Sequence, residues 1–215
     1  MIYKTNKELV NSLIKEGYLK TPLLIEAFLK VDRKDFVKEE DKENAYLNSP
    51  LPIGFGQTIS QPLTVAFMLE LLEPKPGEFI LDIGSGSGWT SSLLAYCVKP
   101  KGKVFAVERI KELCEFGKNN AKKYDFVSSG LVEFFCKDGS KGLPEVAKKI
   151  GGFSKILASA ASEKIPEAWI SQLKDPGKIV APVKNSVLLL EKKEGKISLE
   201  EFFGFSFVPL IENEK

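Results

Sequence analysis

The chain has 215 residues, 43% of them hydrophobic, enough for one domain with a sizeable core; 31 Lys and Arg against 29 Asp and Glu leave a net charge of +2, which gives no reason to expect a nucleic-acid partner. There is no histidine, so the imidazole base, the Ser–His pair and the His metal ligand are excluded, and Cys97, Cys114 and Cys136 form no CxxC pair, which predicts buried or neutral thiols in a reducing compartment and no metal site. No run of about 20 apolar residues occurs, so the chain is expected in the cytoplasm and away from membranes.

Residues 6–16 and 22–30 space their apolar side chains as helices do, with Leu9, Leu13 and Ile14 in the first and Leu24, Ala27 and Phe28 in the second. "VDRKDFV" and a charged run to Glu43 follow. Next comes "PLPIGFGQTISQP", Pro50 to Pro62, stiff, uncharged and bearing hydroxyls. "QPLTVAFMLELLE" predicts a helix with Pro62 in its first turn, and "PKPG" breaks the chain. From there strands and helices alternate: "EFILDI", "KVFAVE", "LVEFFCKD" and "FSKILASAA" as strands, with helices "WTSSLLAYCV", "IKELCEFGKNNAKKY", "LPEVAKKI" and "PEAWISQLK" after them in turn. "KIVAPV" and "SVLLLEKK" are close-spaced strands, and "ISLEEFFGFSFVPLI" is a last extended segment. The alternation predicts an α/β fold, a doubly wound and mostly parallel sheet of seven strands. "VLLLE" and "FGFSFVPL" are expected to form its antiparallel edge. One domain is expected, in three parts: N-terminal helices and a loop over 1–62, an αβ core over 63–183, and edge strands over 184–215.

"ILDIGSGSGW" ends a strand at Ile83 and turns through Gly84, Ser85, Gly86, Ser87 and Gly88 into a helix, a loop whose glycines let backbone approach a ligand. Trp89 stands where the nicotinamide fingerprint wants its third glycine, and Asp82 would repel a pyrophosphate but suits an ammonium. Glu108 ends the second strand, where an acid accepts from ribose hydroxyls; Asp138 ends the third, where one can accept from an adenine amino group. Each acid alone could cap the helix after it. Three in register with the glycine loop, at the carboxyl ends of successive strands, line one crevice. Trp89 and Trp169 are expected to be packing residues.

These residues make the chain resemble the class I S-adenosylmethionine-dependent methyltransferases, and among them the protein-L-isoaspartate O-methyltransferase family. "LPIGFGQTIS" is similar to a segment that other methyltransferases lack, "DRKDFV" to an early Arg–x–x–Phe segment, and "LDIGSGSG", "VE", "SSGLVEFFCKDGSKGLPE", "ASAASEKIPEAWISQLK" and "FVPL" follow in the family's order. The resemblance covers nearly the whole chain. It implies a Rossmann-like fold and methyl transfer from S-adenosyl-L-methionine, leaving S-adenosyl-L-homocysteine, to the free carboxylate of L-isoaspartyl residues in damaged proteins and peptides. It further implies that Ser60 and Thr58 act on the substrate. Gln57, Ile59, Asp82, Gly84, Ser85, Gly86, Glu108, Asp138 and Gly139 would bind the donor, and Pro52, Ile53, Ala160, Val208, Pro209 and Leu210 would wall the peptide cleft. Ser60 also stands where a helix N-cap would, just ahead of Pro62. The chain departs from the family pattern at Ser154, at Asp175-Pro176-Gly177-Lys178 and at Ser206, on the substrate side.

The implied nucleophile needs no histidine. A carboxylate with a pKa of about 4 is already ionised at neutral pH, so the protein has only to desolvate it and aim it at the methyl group from about 3 Å. A related carboxyl methyltransferase with another peptide target, and a donor-binding domain without turnover, stay open alternatives. A nucleic-acid N-methyltransferase fits less well, because the Asn/Asp-Pro-Pro-aromatic motif is missing after the fourth strand. A monomer is expected.

Overall fold

The computed structural model describes residues 3–211, so the two outermost ends of the expected 1–215 domain lie outside the described residues. Helices α1 (Asn6–Lys15) and α2 (Pro22–Lys30) lead through two 3-10 turns, Arg33–Phe36 and Glu39–Asn44, to a hairpin of β1 (Leu51–Gly54) and β2 (Gln57–Ile59) and to α3 (Pro62–Leu72). The alternating part runs β3 (Phe79–Ile83), α4 (Trp89–Val98), β4 (Lys103–Glu108), α5 (Lys111–Lys122), β5 (Val132–Cys136), α6 (Pro144–Ile150), β6 (Phe153–Ala158), α7 (Glu167–Gln172) and β7 (Leu173–Val183). β8 (Ser186–Lys193) and β9 (Lys196–Phe203) follow.

Among the described residues the main sheet has seven strands in the order β5-β4-β3-β6-β7-β8-β9, parallel through β7 and antiparallel at β8 and β9. The chain runs outward from β3 to β5 on one side, then crosses back to β6 on the other. The strand order therefore reverses between β3 and β6, and such a reversal opens a crevice at the carboxyl ends of the strands.

Strand pleating sorts the core into two layers. Ile80, Val104, Ala106, Leu157 and Val180 point to the face covered by α3, α4 and α5, with α2 packed on α4 and α1 on α2. Their neighbours Leu81, Phe105, Val107, Ile156 and Ile179 point to the face covered by α6 and α7. Trp89 and Trp169 are both buried, as expected. So are Cys97 and Cys114, whereas Cys136 is exposed at the end of β5, where the pleat leaves one face open. Burial raises the Cys97 thiol to about 12 and the Cys114 thiol to about 11.

Two expectations need correction. "PEAWISQLK" does not stay helical to Lys174: α7 ends at Gln172, and Leu173 already pairs with Phe153, because β7 runs through Asp175-Pro176-Gly177 with a register break opposite Phe153/Lys155. "FGFSFVPL" does not form the sheet edge, which β9 supplies from Lys196 to Phe203. Gly204 turns the chain at φ 95°, and the Gly204 and Phe205 N–H groups donate to the Asn185 carbonyl. Phe205 then stacks on Phe67 at 5.1 Å, and the tail crosses back over the strand ends, where Ala161 N–H donates to Val208 O at 2.8 Å and Leu210 N–H to Ala161 O at 2.6 Å. Among the described residues, no helix is long and apolar enough to cross a membrane.

Candidate active site

The loop after β3 is held from two sides. Gly84 and Ser85 N–H groups donate to Val107 O at 2.8 and 3.1 Å, and Gly86 N–H donates to Glu108 Oε2 at 3.0 Å. Glu108 Oε1 accepts from Ile110 N–H at 3.0 Å, so this one carboxylate joins the loops after β3 and β4 at the mouth of the crevice. Each oxygen keeps a further lone pair for a ligand hydroxyl. Gly88 serves packing: a Cβ there would lie 2.6 Å from Gly117 O on α5, and one on Gly117 would lie 2.7 Å from Gly86 O. The two glycines let α5 backbone lie against the loop.

The hairpin covers this loop. Pro52 pairs with Thr58 and Leu51 with Ile59, and the tip runs through Gly54, Phe55 and Gly56 at φ 100°, 54° and 70°. Successive residues in the left-handed region explain the glycines of "GFG". Ile53 reaches down so far that a Cβ on Gly86 would lie 3.2 Å from its Cδ1.

Between hairpin and loop lies a cleft lined from the expected set by Ile53, Gln57, Thr58, Ile59, Ser60, Gly84, Ser85, Gly86, Glu108, Gly139, Ala160, Val208, Pro209 and Leu210. A glycine loop that a ligand can approach closely, an acid beside it with lone pairs to spare and a cleft under the hairpin fit the implied S-adenosylmethionine. Ser159, from the "SAAS" segment expected as a cleft wall, lines it too, and so do Ser87, Thr90 and Arg109, which were not among the expected residues. The available signal was position: Arg109 follows the acid at the end of β4.

Three expected residues do not line the cleft. Pro52 sits at the outward position of β1, exposed, while Leu51 and Ile53 on either side are buried. The Asp138 carboxylate is half-buried and accepts from Ser140 N–H at 2.8 Å within its own turn, leaving Gly139 to face the cleft. Asp82 is fully buried one layer beneath the loop, because strand parity aims it at α4. Its Oδ2 accepts from Ser91 Oγ at 2.5 Å, and Oδ1 has no hydrogen-bond partner. Burial pushes its pKa up to about 7, the Ser91 hydroxyl opposes this and the Glu108 charge adds to it. A buried acceptor without a donor beneath a ligand loop suits a cationic group above it.

Ser60 is not the N-cap of α3. The cap position is Gln61, without a side-chain bond, and Leu63 N–H donates instead to Asn48 Oδ1 at 3.0 Å. Asn48 takes over the capping, which leaves the Ser60 hydroxyl available at the cleft wall. A second cavity of about 1020 Å³ adjoins the first and shares Thr58, Ser60, Ser159 and Val208 with it. Its far wall is aromatic, with Phe67, Phe202, Phe205 and Phe207, and Ser206 faces it too.

A family model described as protein-L-isoaspartate(D-aspartate) O-methyltransferase matches residues 4–215. A protein-L-isoaspartate O-methyltransferase of Methanopyrus kandleri is 43% identical, over 98% of this chain and 93% of its own length. One of Ignicoccus hospitalis is 40% identical, over 97% and 98%. Among solved structures, a Plasmodium falciparum protein-L-isoaspartate O-methyltransferase in complex with S-adenosyl-L-homocysteine matches with a TM-score of 0.88 at 27% identity, covering 98% of this chain and 100% of that one.

Proposed function

The chain belongs to the protein-L-isoaspartate O-methyltransferase family, and on that premise we propose how its residues divide the family's reaction, methyl transfer from S-adenosyl-L-methionine to the free carboxylate of an L-isoaspartyl residue. The donor, when bound, supplies a methyl group on a sulfonium, an electrophile strong enough for an unassisted carboxylate. The Gly84–Gly86 loop and Glu108 hold its nucleoside and Gly139 closes one side, while Asp82 favours its ammonium by charge from beneath the loop. Gln57 and Ile59 cover it.

The observation that carries the assignment of Ser60 and Thr58 is their position on the boundary of both cavities. One cavity is walled by the glycine loop and Glu108, which would face the donor. The other is wider and open, as an extended peptide requires. A hydroxyl on the shared wall can donate to a carboxylate entering from the peptide side and hold one of its oxygens toward the donor side. Hydroxyls orient the carboxylate without quenching it, as an Arg fork would. The hairpin excludes water, so the carboxylate exchanges its hydration shell for a few fixed donors. Ala160, Ser159 and the Val208–Leu210 tail wall the peptide side. The protein acts as a monomer on proteins and peptides, not on nucleic acid; the charges of Lys196, Glu200 and Glu201 on the edge strand β9 oppose edge-to-edge pairing.

The test is methyl transfer from the tritiated donor to an isoaspartyl peptide, its aspartyl twin and an RNA. Base-labile label on the isoaspartyl peptide alone is expected; label on the RNA, or equally on both peptides, contradicts the substrate. Ser60→Ala is expected to lower kcat by about 10-fold to 100-fold, the worth of a hydrogen bond to a charged group, with the affinity for S-adenosylhomocysteine unchanged. A wild-type kcat in this variant overturns the role of Ser60.

A further inference from the structure

Arg33 lies far from both cavities in sequence and lines neither, yet it is fully buried. Its Nη1 donates to the carbonyls of Ala45 at 2.7 Å and Leu47 at 3.2 Å. Its Nη2 donates to the carbonyls of Ser49 at 2.9 Å and Ser60 at 3.2 Å. The Trp89 ring lies 5.4 Å from the guanidinium carbon. Among the described residues no carboxylate stands within ion-pair distance of it, and its Nε has no partner.

The placement of those carbonyls is specific. Ser49 precedes β1 and Ser60 follows β2, so a single nitrogen ties the two ends of the hairpin together at its base. Ala45 and Leu47 belong to the segment that leads into it. A buried cation without a counter-ion is costly, and simple closure of a two-stranded ribbon would not need one. The planar fork, however, can serve four carbonyls at once, which a lysine or a neutral amide cannot do in the same space. One of the four belongs to the residue whose hydroxyl stands between the two cavities.

We propose that Arg33 is a positioning residue for methyl transfer: by clamping the hairpin base through the Ser49 and Ser60 carbonyls, it fixes where the Ser60 hydroxyl stands. This rests on the assignment of Ser60 made above, and the test separates the two. Arg33→Lys keeps the charge but loses the fork. It is expected to bind S-adenosylhomocysteine within a few-fold of wild type in calorimetry, a smaller change than the loss in kcat, because the glycine loop and Glu108 are untouched and only the Gln57–Ile59 cover is loosened. Its kcat on the isoaspartyl peptide is expected to fall on the order of 10-fold to 100-fold, as misplacement of an aligned group does. In the Ser60→Ala background the same substitution should cost less than it does alone, since only the Thr58 hydroxyl is left to place.

A full additional loss in the double variant, or a wild-type kcat in Arg33→Lys, overturns the proposal. If Ser60→Ala itself is silent, the assignment of Ser60 fails instead. Should Arg33→Lys not fold, an α-hydroxy acid in place of Gln61 makes the Ser60 carbonyl an ester and weakens that one acceptor with Arg33 intact. The same fall in kcat at unchanged product affinity is expected of it, and an unchanged kcat contradicts the clamp.

Discussion

Asp82 faces two opposing demands. Its folded pKa of about 7 stands above the ordinary value of 3.8, mainly through burial. The folded protein therefore holds a proton there that the unfolded chain releases between those values. The stability this group contributes is complete below the lower value and is lost as pH rises through the upper one. Asp82→Asn is thus expected to melt higher than wild type at pH 8 and together with it near pH 4, measured by differential scanning calorimetry without donor, while binding S-adenosylhomocysteine more weakly. Parallel melting curves for the two proteins at every pH contradict the placement of the charge. At this scale the sequence was only partly informative. Asp82, Glu108 and Asp138 are alike in type and close in position, Asp82 one residue short of the end of β3, Glu108 at the end of β4 and Asp138 two residues beyond β5. What separates them is side-chain direction: Glu108 reaches the crevice, Asp82 points under the loop and Asp138 turns on its own backbone. Ser60 read equally well as a cap, and only Asn48, twelve residues upstream, shows that it is not one. Arg33 was visible merely as part of an Arg–x–x–Phe segment, since its partners are carbonyls, which leave no mark on residue identity.

At the scale of elements, the site depends on three close approaches: α5 to the glycine loop, the hairpin to the same loop, and the tail to the end of β6. Gly88→Ala tests the first. Its Cβ would meet Gly117 O at 2.6 Å on a backbone at φ 80°. Overpacking of this kind costs about 1–3 kcal/mol, and the melting temperature should fall by roughly 2–10 °C for a chain of this size. Gly77→Ala is a control for the left-handed backbone alone, with φ 84° and nothing within 4 Å of its Cβ. An equal fall in both variants contradicts the packing role of Gly88. The parallel strands were legible because two-sided burial writes continuous apolar runs, as in "FILDI" and "KVFAVE". The tail was not, because an extended segment reads the same whether it extends a sheet or crosses its end. The Gly204 turn and the stacking of Phe205 on Phe67 decide that, and both depend on residues far apart in the chain.

Across the whole molecule, one core layer runs from Val10 in α1 through Leu51 and Ile59 of the hairpin to Leu189 in β8. The N-terminal helices, the hairpin, the αβ core and the edge strands thus share buried surface, and we propose that they form a single domain. Calorimetry is expected to show one unfolding transition with equal calorimetric and van't Hoff enthalpies, and an early separate transition would contradict it. The doubly wound order was readable from the alternation of strands and helices. The hairpin's position above the strand-order reversal was implied only by the family resemblance, since nothing local says where a charge-free loop will fold back. That position is also what the functional account depends on most. A crystal structure with S-adenosylhomocysteine tests it most directly: the nucleoside should lie between Gln57–Ser60 and Gly84–Gly86, with its ribose oxygens on Glu108. A nucleoside seated in the aromatic cavity beside Phe67, or anywhere leaving Gly84–Gly86 and Glu108 untouched, would contradict the account.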